Sequence, residues 1–225
     1  MGSREELEEQ LVAGIADALK MDIDERGKAS LLVSGGSTPK NLFQKLSKTD
    51  LEWSKVVISL VDERYLPEGH KDQNGTMVKS LLLQNKAAHA EFIPLVNNAK
   101  DIAANLQRAK EDVKQLPRPF TVVILGMGAD GHTASLFPQA PQLDLGMDLD
   151  SKEDLILTEP TTAPYERITF TRKALLDTRH LVLHCYGADK KEVLNDAMRQ
   201  KTYRPYPIEA FLHQDIAPLE VHWTE

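Results

Sequence analysis

The chain has 225 residues, 41% of them hydrophobic and 27% charged, which against a typical domain of ~150 residues reads as one large domain over 1–225 with a core of its own, two small domains being the alternative. Its 27 Lys and Arg against 34 Asp and Glu leave a formal charge of −7, so its long-range field repels nucleic acid. The longest nearly apolar runs, 56–61 and 122–129, fall far short of the ~20 residues that span a bilayer, and the single Cys185 cannot close an intrachain disulfide; no membrane partner or secretion is expected, and the cytoplasm is the default.

The start, Met1-Gly2-Ser3-Arg4-Glu5-Glu6, has no apolar run, and Glu6 stands where a myristoylation signal wants Ser or Thr. Leu7, Leu11, Ile15, Ala18 and Leu19 then recur at helical spacing, which predicts an amphipathic helix over 5–19. A β-prone run at 29–33 breaks at Ser34-Gly35-Gly36-Ser37-Thr38-Pro39, after which Leu42, Phe43 and Leu46 return at helical period. The alternation continues with a strand at 56–60, a loop through Asn74, a helix over 76–83, a short strand near Phe92 and a helix over 101–114. Pro117 and Pro119 close that helix ahead of 121–125, a continuous apolar strand of the kind buried on both faces of a parallel sheet. A second glycine turn follows, and then 138–154, rich in Pro, Asp, Gln and Gly, reads as a surface excursion beside a site. Strands at 155–158, 168–171 and 181–185, helices at 173–176 and 189–198, and a last strand at 219–223 complete the chain. The pattern is that of an α/β three-layer sandwich with a mostly parallel, Rossmann-like central sheet, whose ligands bind beyond the carboxyl ends of its strands.

The glycine turns are therefore the first places to look for chemistry. In Ser34-Gly35-Gly36-Ser37-Thr38-Pro39, glycines permit close approach and the hydroxyls add donors, which suits a phosphate; a tight turn with a helix cap is the alternative, and the nucleotide P-loop pattern is absent. The second turn, Gly126-Met127-Gly128-Ala129-Asp130-Gly131-His132, formally matches G-x-G-x-x-G after a strand, with Asp148 and Asp150 about 20 residues on. A dinucleotide site needs a helix opening at the third glycine, and Pro138 and Pro141 leave little room for one. His132 at that turn is a candidate general base, and Asp130 stands two residues earlier to orient it; a loop hydrogen bond is the plainer role.

Between the turns, Asp62-Glu63-Arg64 follows the strand at 56–60. Arg64 offers the planar donor fork that suits phosphate, and Asp62 can accept from sugar hydroxyls. Arg167, Arg172 and Lys190 add cations at other strand ends. His180 and His184 lie four apart, which in a strand separates them by ~13 Å, and no Cys pair or H-E-x-x-H accompanies them, so no metal site is expected. There is no nucleophile elbow, and Cys185 within a strand reads as a buried thiol.

Taken in order, these motifs resemble the glucosamine-6-phosphate isomerase/6-phosphogluconolactonase family. The likeness is carried by Ser34 to Pro39, Asp62-Glu63-Arg64, Gly126 to Pro138, Arg167, Gly187-Ala188-Asp189-Lys190 and Pro207-Ile208-Glu209-Ala210. The continuation His132-Thr133-Ala134-Ser135-Leu136-Phe137-Pro138 is similar to the lactonase version rather than to the deaminases. The resemblance implies hydrolysis of 6-phospho-D-glucono-1,5-lactone in the oxidative pentose phosphate pathway, without metal or organic cofactor, by a monomer or homodimer. It implies that His132 activates water, with Asp130 orienting it and Arg64 beside it. It also implies that Ser34, Gly35, Gly36, Ser37, Thr38, Asp62, Arg64, Gly128, Arg167 and Lys190 hold the substrate. A deaminase or isomerase, and a non-catalytic sugar-phosphate sensor, are the alternatives on the same scaffold. Family members begin with a strand before the first helix, whereas this chain enters that helix at once, which implies a shortened or missing edge strand.

Overall fold

Leu11, Ile15, Ala18, Leu19 and Ile23 form one buried stripe of α1 (Arg4–Arg26), the first element of a computed structural model that describes residues 3–200 and 202–225. The first two residues of the acidic start lie outside the described residues. Ser3 and Glu6 close a reciprocal capping box at the start of α1, and Gly27 at φ 79° ends it by donating its N–H to Ile23 O at 2.9 Å. The helix therefore runs a full seven residues past the expected end at Leu19, because its stripe continues to Ile23 and the buried Asp22 is satisfied from afar. Asp22 accepts from Thr121 Oγ1, from Arg26 and from Arg179 Nη1, the last at 2.7 Å.

The chain then alternates through β1 (Ala29–Val33), α2 (Lys40–Leu46), β2 (Val56–Leu60), β3 (Asp62–Arg64), α3 (Asn74–Leu81), β4 (Glu91–Ile93), α4 (Ile102–Asp112) and β5 (Phe120–Leu125). It continues through α5 (Leu143–Met147), β6 (Leu155–Thr158), β7 (Arg167–Phe170), α6 (Arg172–Leu176), β8 (Thr178–Tyr186), α7 (Ala188–Arg199), α8 (Glu209–Leu212) and β9 (Leu219–Thr224). Every residue of β1, β2 and β5 is buried, as strands covered by helices on both faces must be. Among the described residues no strand precedes α1, and no helix is long and apolar enough to cross a membrane.

The central sheet has six strands in the order β4-β2-β1-β5-β8-β9, all parallel. From β1 the chain winds outward to β2 and β4, then returns to β5 and winds the other way through β8 to β9. The reversal puts the topological switch between β1 and β5, where a crevice opens outside the carboxyl ends of the strands. The turns after β1 and β5 meet there: Ser34 N and Oγ donate to Ile124 O at 3.1 and 2.9 Å, and Gly126 N donates to Ser34 Oγ at 3.0 Å.

The strands expected at 155–158 and 168–171 do not join this sheet. They form a separate antiparallel sheet, β3-β7-β6, whose short β3 is the charged Asp62-Glu63-Arg64 segment. The segment expected to be a surface excursion carries α5, whose Leu143 and Met147 are buried. A dinucleotide fold would open a helix at Gly131, yet the next helix starts only at Leu143.

Candidate functional site

A cavity of about 230 Å³ lies over the switch point. The structure brings to its wall Ser34, Gly35, Gly36, Ser37 and Thr38 from the turn after β1, Gly128 and His132 from the turn after β5, Asp62 and Arg64 from β3, Arg167 from β7 and Lys190 from α7. Asp130 stands behind His132 rather than on the wall. Arg172, the other strand-end cation in the sequence, is turned away and donates to Ala210 O at 2.8 Å.

His132 is oriented through one ring nitrogen. Its Nδ1 is 2.5 Å from Asp130 Oδ1, its backbone N–H donates to the same oxygen at 3.2 Å, and Gly128 N donates to His132 O at 2.8 Å. Burial pushes the Asp130 carboxyl up, but the hydrogen bond and charge of His132 with nearby backbone donors outweigh it, and the net shift is downward. An ionised Asp130 accepts a hydrogen bond from Nδ1–H, which leaves the Nε2 lone pair free. The tight turn depends on Gly128: a Cβ there would lie 2.1 Å from His132 Nδ1 and 2.5 Å from Asp130 Oδ1. The imidazole stacks on Phe137 with centroids 4.1 Å apart and planes at 23°, and Arg167 Cζ lies 5.1 Å from the same Phe137 centroid. One buried ring thus fixes both groups. Between them in sequence, Ala134 adopts φ 49°, a left-handed conformation that costs an L-residue roughly 1–2 kcal/mol. Hydrogen bonds on either side hold it: Thr133 Oγ1 donates to Gly126 O at 2.8 Å, and Ser135 Oγ donates to Asp62 Oδ2 at 2.5 Å.

The second sheet sets the charges. Register pairs Arg64 with Arg167 directly across β3 and β7, an arrangement of like charges that an antiparallel sheet disfavours unless something of opposite sign sits between them. Asp62 supplies part of that, its Oδ2 lying 3.8 Å from Arg167 Nη1. Burial lowers the pKa of Arg167, Asp62 opposes that shift and Arg64 adds to it. Arg64 reaches Asp72 O through Nη1 and Arg167 reaches Pro164 O through Nη2 at 3.3 Å, yet Nε of each arginine is buried without a partner among the described residues. Unpaired guanidinium donors at a cavity wall are suited to an anion.

Sequence reading passed over two polar side chains that the fold brings to the wall, Asn74 and His184. Asn74 joins two layers: its Nδ2 donates to Asp62 O at 2.9 Å, and its Oδ1 lies so close to Gly35 that a Cβ there would be 1.8 Å away. Neither residue belongs to a glycine turn or a cation cluster; the available signal for His184 was its place near the carboxyl end of an apolar strand.

Residues 2–223 match the family described as "Glucosamine-6-phosphate isomerases/6-phosphogluconolactonase". The chain is 42% identical to a 6-phosphogluconolactonase of Rhizobium meliloti over 97% of its own length and 94% of that protein, and 39% identical to one of Pseudomonas aeruginosa over 99% and 92%. It superposes on the crystal structure of a 6-phosphogluconolactonase from Shewanella baltica OS155 with a TM-score of 0.97 at 41% identity, covering 100% of this chain and 96% of that one.

Proposed function

Since the chain belongs to the glucosamine-6-phosphate isomerase/6-phosphogluconolactonase family, we propose that it is a single-domain enzyme that hydrolyses 6-phospho-D-glucono-1,5-lactone to 6-phospho-D-gluconate, with His132 as general base. The observation that carries this reading is the joining, in one cavity, of a His132–Asp130 couple at 2.5 Å with the opposed Arg64 and Arg167. The first is equipped to take a proton and the second to hold an anion. The reaction takes place in the cytoplasm, on a small phosphorylated lactone rather than on nucleic acid or at a membrane, in a monomer or homodimer.

In this mechanism Nε2 of His132 takes a proton from water as the oxygen attacks the lactone carbonyl carbon. Negative charge then develops on the carbonyl oxygen, where a fixed cation lowers the barrier. Collapse of the tetrahedral intermediate breaks the ring C–O bond, and the imidazolium returns its proton to the departing ring oxygen. Asp130 keeps the imidazole in the Nε2-basic tautomer and stabilises the cation that forms. Arg64, Arg167, Lys190 and the donors of residues 34–38 share the phosphate and the developing oxyanion, and Asp62 accepts from substrate hydroxyls.

Gly128→Ala tests the orientation without removing a reacting group. The added methyl must displace His132 or Asp130, and a misplacement of ~1 Å is expected to lower kcat by roughly 10²-fold. A steady-state assay that finds KM nearly unchanged would show the loss to be one of orientation. The reading as a whole is tested by generating the lactone in situ from glucose 6-phosphate with its dehydrogenase and following lactone loss. Accelerated loss is the expected result; a folded protein that binds 6-phosphogluconate but turns nothing over is a sensor, and ammonia release from glucosamine 6-phosphate would make it a deaminase.

A further inference from the structure

His184, on β8, is only 2% exposed, and it is one of the residues that line the cavity. Its Nε2 lies 2.6 Å from the Tyr186 hydroxyl, which donates to Glu8 Oε1 at 2.9 Å. Glu8 is flanked by Arg4 Nε at 3.3 Å and Lys45 Nζ at 3.4 Å. A carboxylate can only accept, so the tyrosine proton goes to Glu8 and the tyrosine oxygen accepts from His184 Nε2–H. That chain of bonds fixes the tautomer: Nε2 carries the hydrogen and Nδ1 carries a lone pair. Nδ1 is buried and has no hydrogen-bond partner among the described residues. Burial also pushes the imidazole down to about 4, so it is neutral at physiological pH.

The rest of the wall is rich in donors, with Arg64, Arg167, Lys190, Ser37 and Thr38. These suit a phosphate or a carbonyl oxygen, whereas a lone pair repels both. What a buried lone pair recognises is a hydroxyl, and a polyhydroxylated sugar phosphate brings several into the cavity. We propose that His184 is a specificity-determining residue whose Nδ1 accepts a hydrogen bond from a sugar hydroxyl of the substrate. The inference rests on the lactonase reading above. Burying an acceptor without a partner is costly, and that cost is recovered only when a ligand carries a hydroxyl to it.

Two substitutions separate an acceptor from a merely structural histidine. In His184→Gln the amide nitrogen can replace Nε2 against Tyr186 while the Nδ1 acceptor is lost; in His184→Asn the amide oxygen can replace Nδ1 while the Tyr186 contact is lost. Calorimetry on the full chain compares 6-phosphogluconate with inorganic phosphate. His184→Gln is expected to raise the Kd for 6-phosphogluconate roughly tenfold, the loss of one hydrogen bond to a buried acceptor, and to leave phosphate binding unchanged; His184→Asn is expected to keep both affinities. The reverse ranking, or equal weakening of both ligands, overturns the proposal in favour of a structural role, and unchanged 6-phosphogluconate binding in His184→Gln overturns it outright. Wild-type protein that binds no 6-phosphogluconate and hydrolyses no lactone removes the lactonase reading itself, an outcome distinct from wild-type turnover with indifferent variants.

Discussion

Replacing His132 with alanine is expected to lower kcat by ~10² to 10⁴, the contribution of a positioned general base, while KM changes little because the guanidinium groups and the turn after β1 are untouched. The imidazole is the group beside the cavity whose second nitrogen is already committed to a carboxylate, at 2.5 Å. Acidification should act in the same direction and lower the wild-type rate, because a protonated imidazole has no lone pair with which to take water's proton. Asp130 does not confuse this profile, because its carboxyl is shifted below the ordinary range and stays ionised while histidines titrate. Rates corrected for spontaneous hydrolysis would be measured from about pH 5 to 8. Near-full activity in folded His132→Ala, or a flat profile, would take His132 out of this role.

How much of this was legible in the sequence depended on whether each feature was local. The strands β1 and β2 match the largely apolar runs at 29–33 and 56–60 because every residue of each is buried, and β6 coincides with the run at 155–158. The turns at Ser34 and Gly126 could be placed at a cavity because each directly follows such a run. By contrast, Asp62-Glu63-Arg64 has the look of a solvated loop, and becomes β3 only by pairing with a strand about a hundred positions away. The end of α1 was hidden for the same reason: Asp22 reads as a surface acid until Thr121 and Arg179 arrive from β5 and β8. Asn74 and His184 came to the wall through contacts across layers, which no spacing rule records. Arg172 shows the converse error, since a cation at a strand end points into a cavity only if its backbone is aimed there, and α6 aims this one at Ala210.

The largest effect on stability is expected from Glu63→Ala. Glu63 is 2% exposed, and its carboxyl accepts from Arg64 N at 2.7 Å, Asn74 N at 2.8 Å and Gly75 N at 2.7 Å. It thereby caps α3, whose own N-cap residue, Gln73, makes no capping bond. Removing it strands two buried donors and one half-buried donor, at a cost of about 3–5 kcal/mol once partial hydration is allowed for, a large share of the ~5–15 kcal/mol that holds a domain together. The loss should reach the cavity as well, since Asn74 would no longer be held against Asp62 O and Gly35. The cost also depends on pH, with a sign that the position of the carboxyl determines. Burial is the largest influence and, with the charge of Asp62 adding to it, pushes Glu63 from 4.5 up to about 7 against the pull of its three backbone bonds. Between those two values the folded protein binds more protons at this site than the unfolded chain does, so its contribution is full below 4.5 and is lost as pH rises through about 7. The stability gap between wild type and Glu63→Ala should therefore be widest in mild acid and narrow toward pH ~8 by on the order of 3 kcal/mol. Denaturant unfolding of both proteins across that range measures it. A gap that stays constant, or widens with rising pH, would mean that the backbone donors prevail over burial and that Glu63 caps α3 as an ordinary carboxylate.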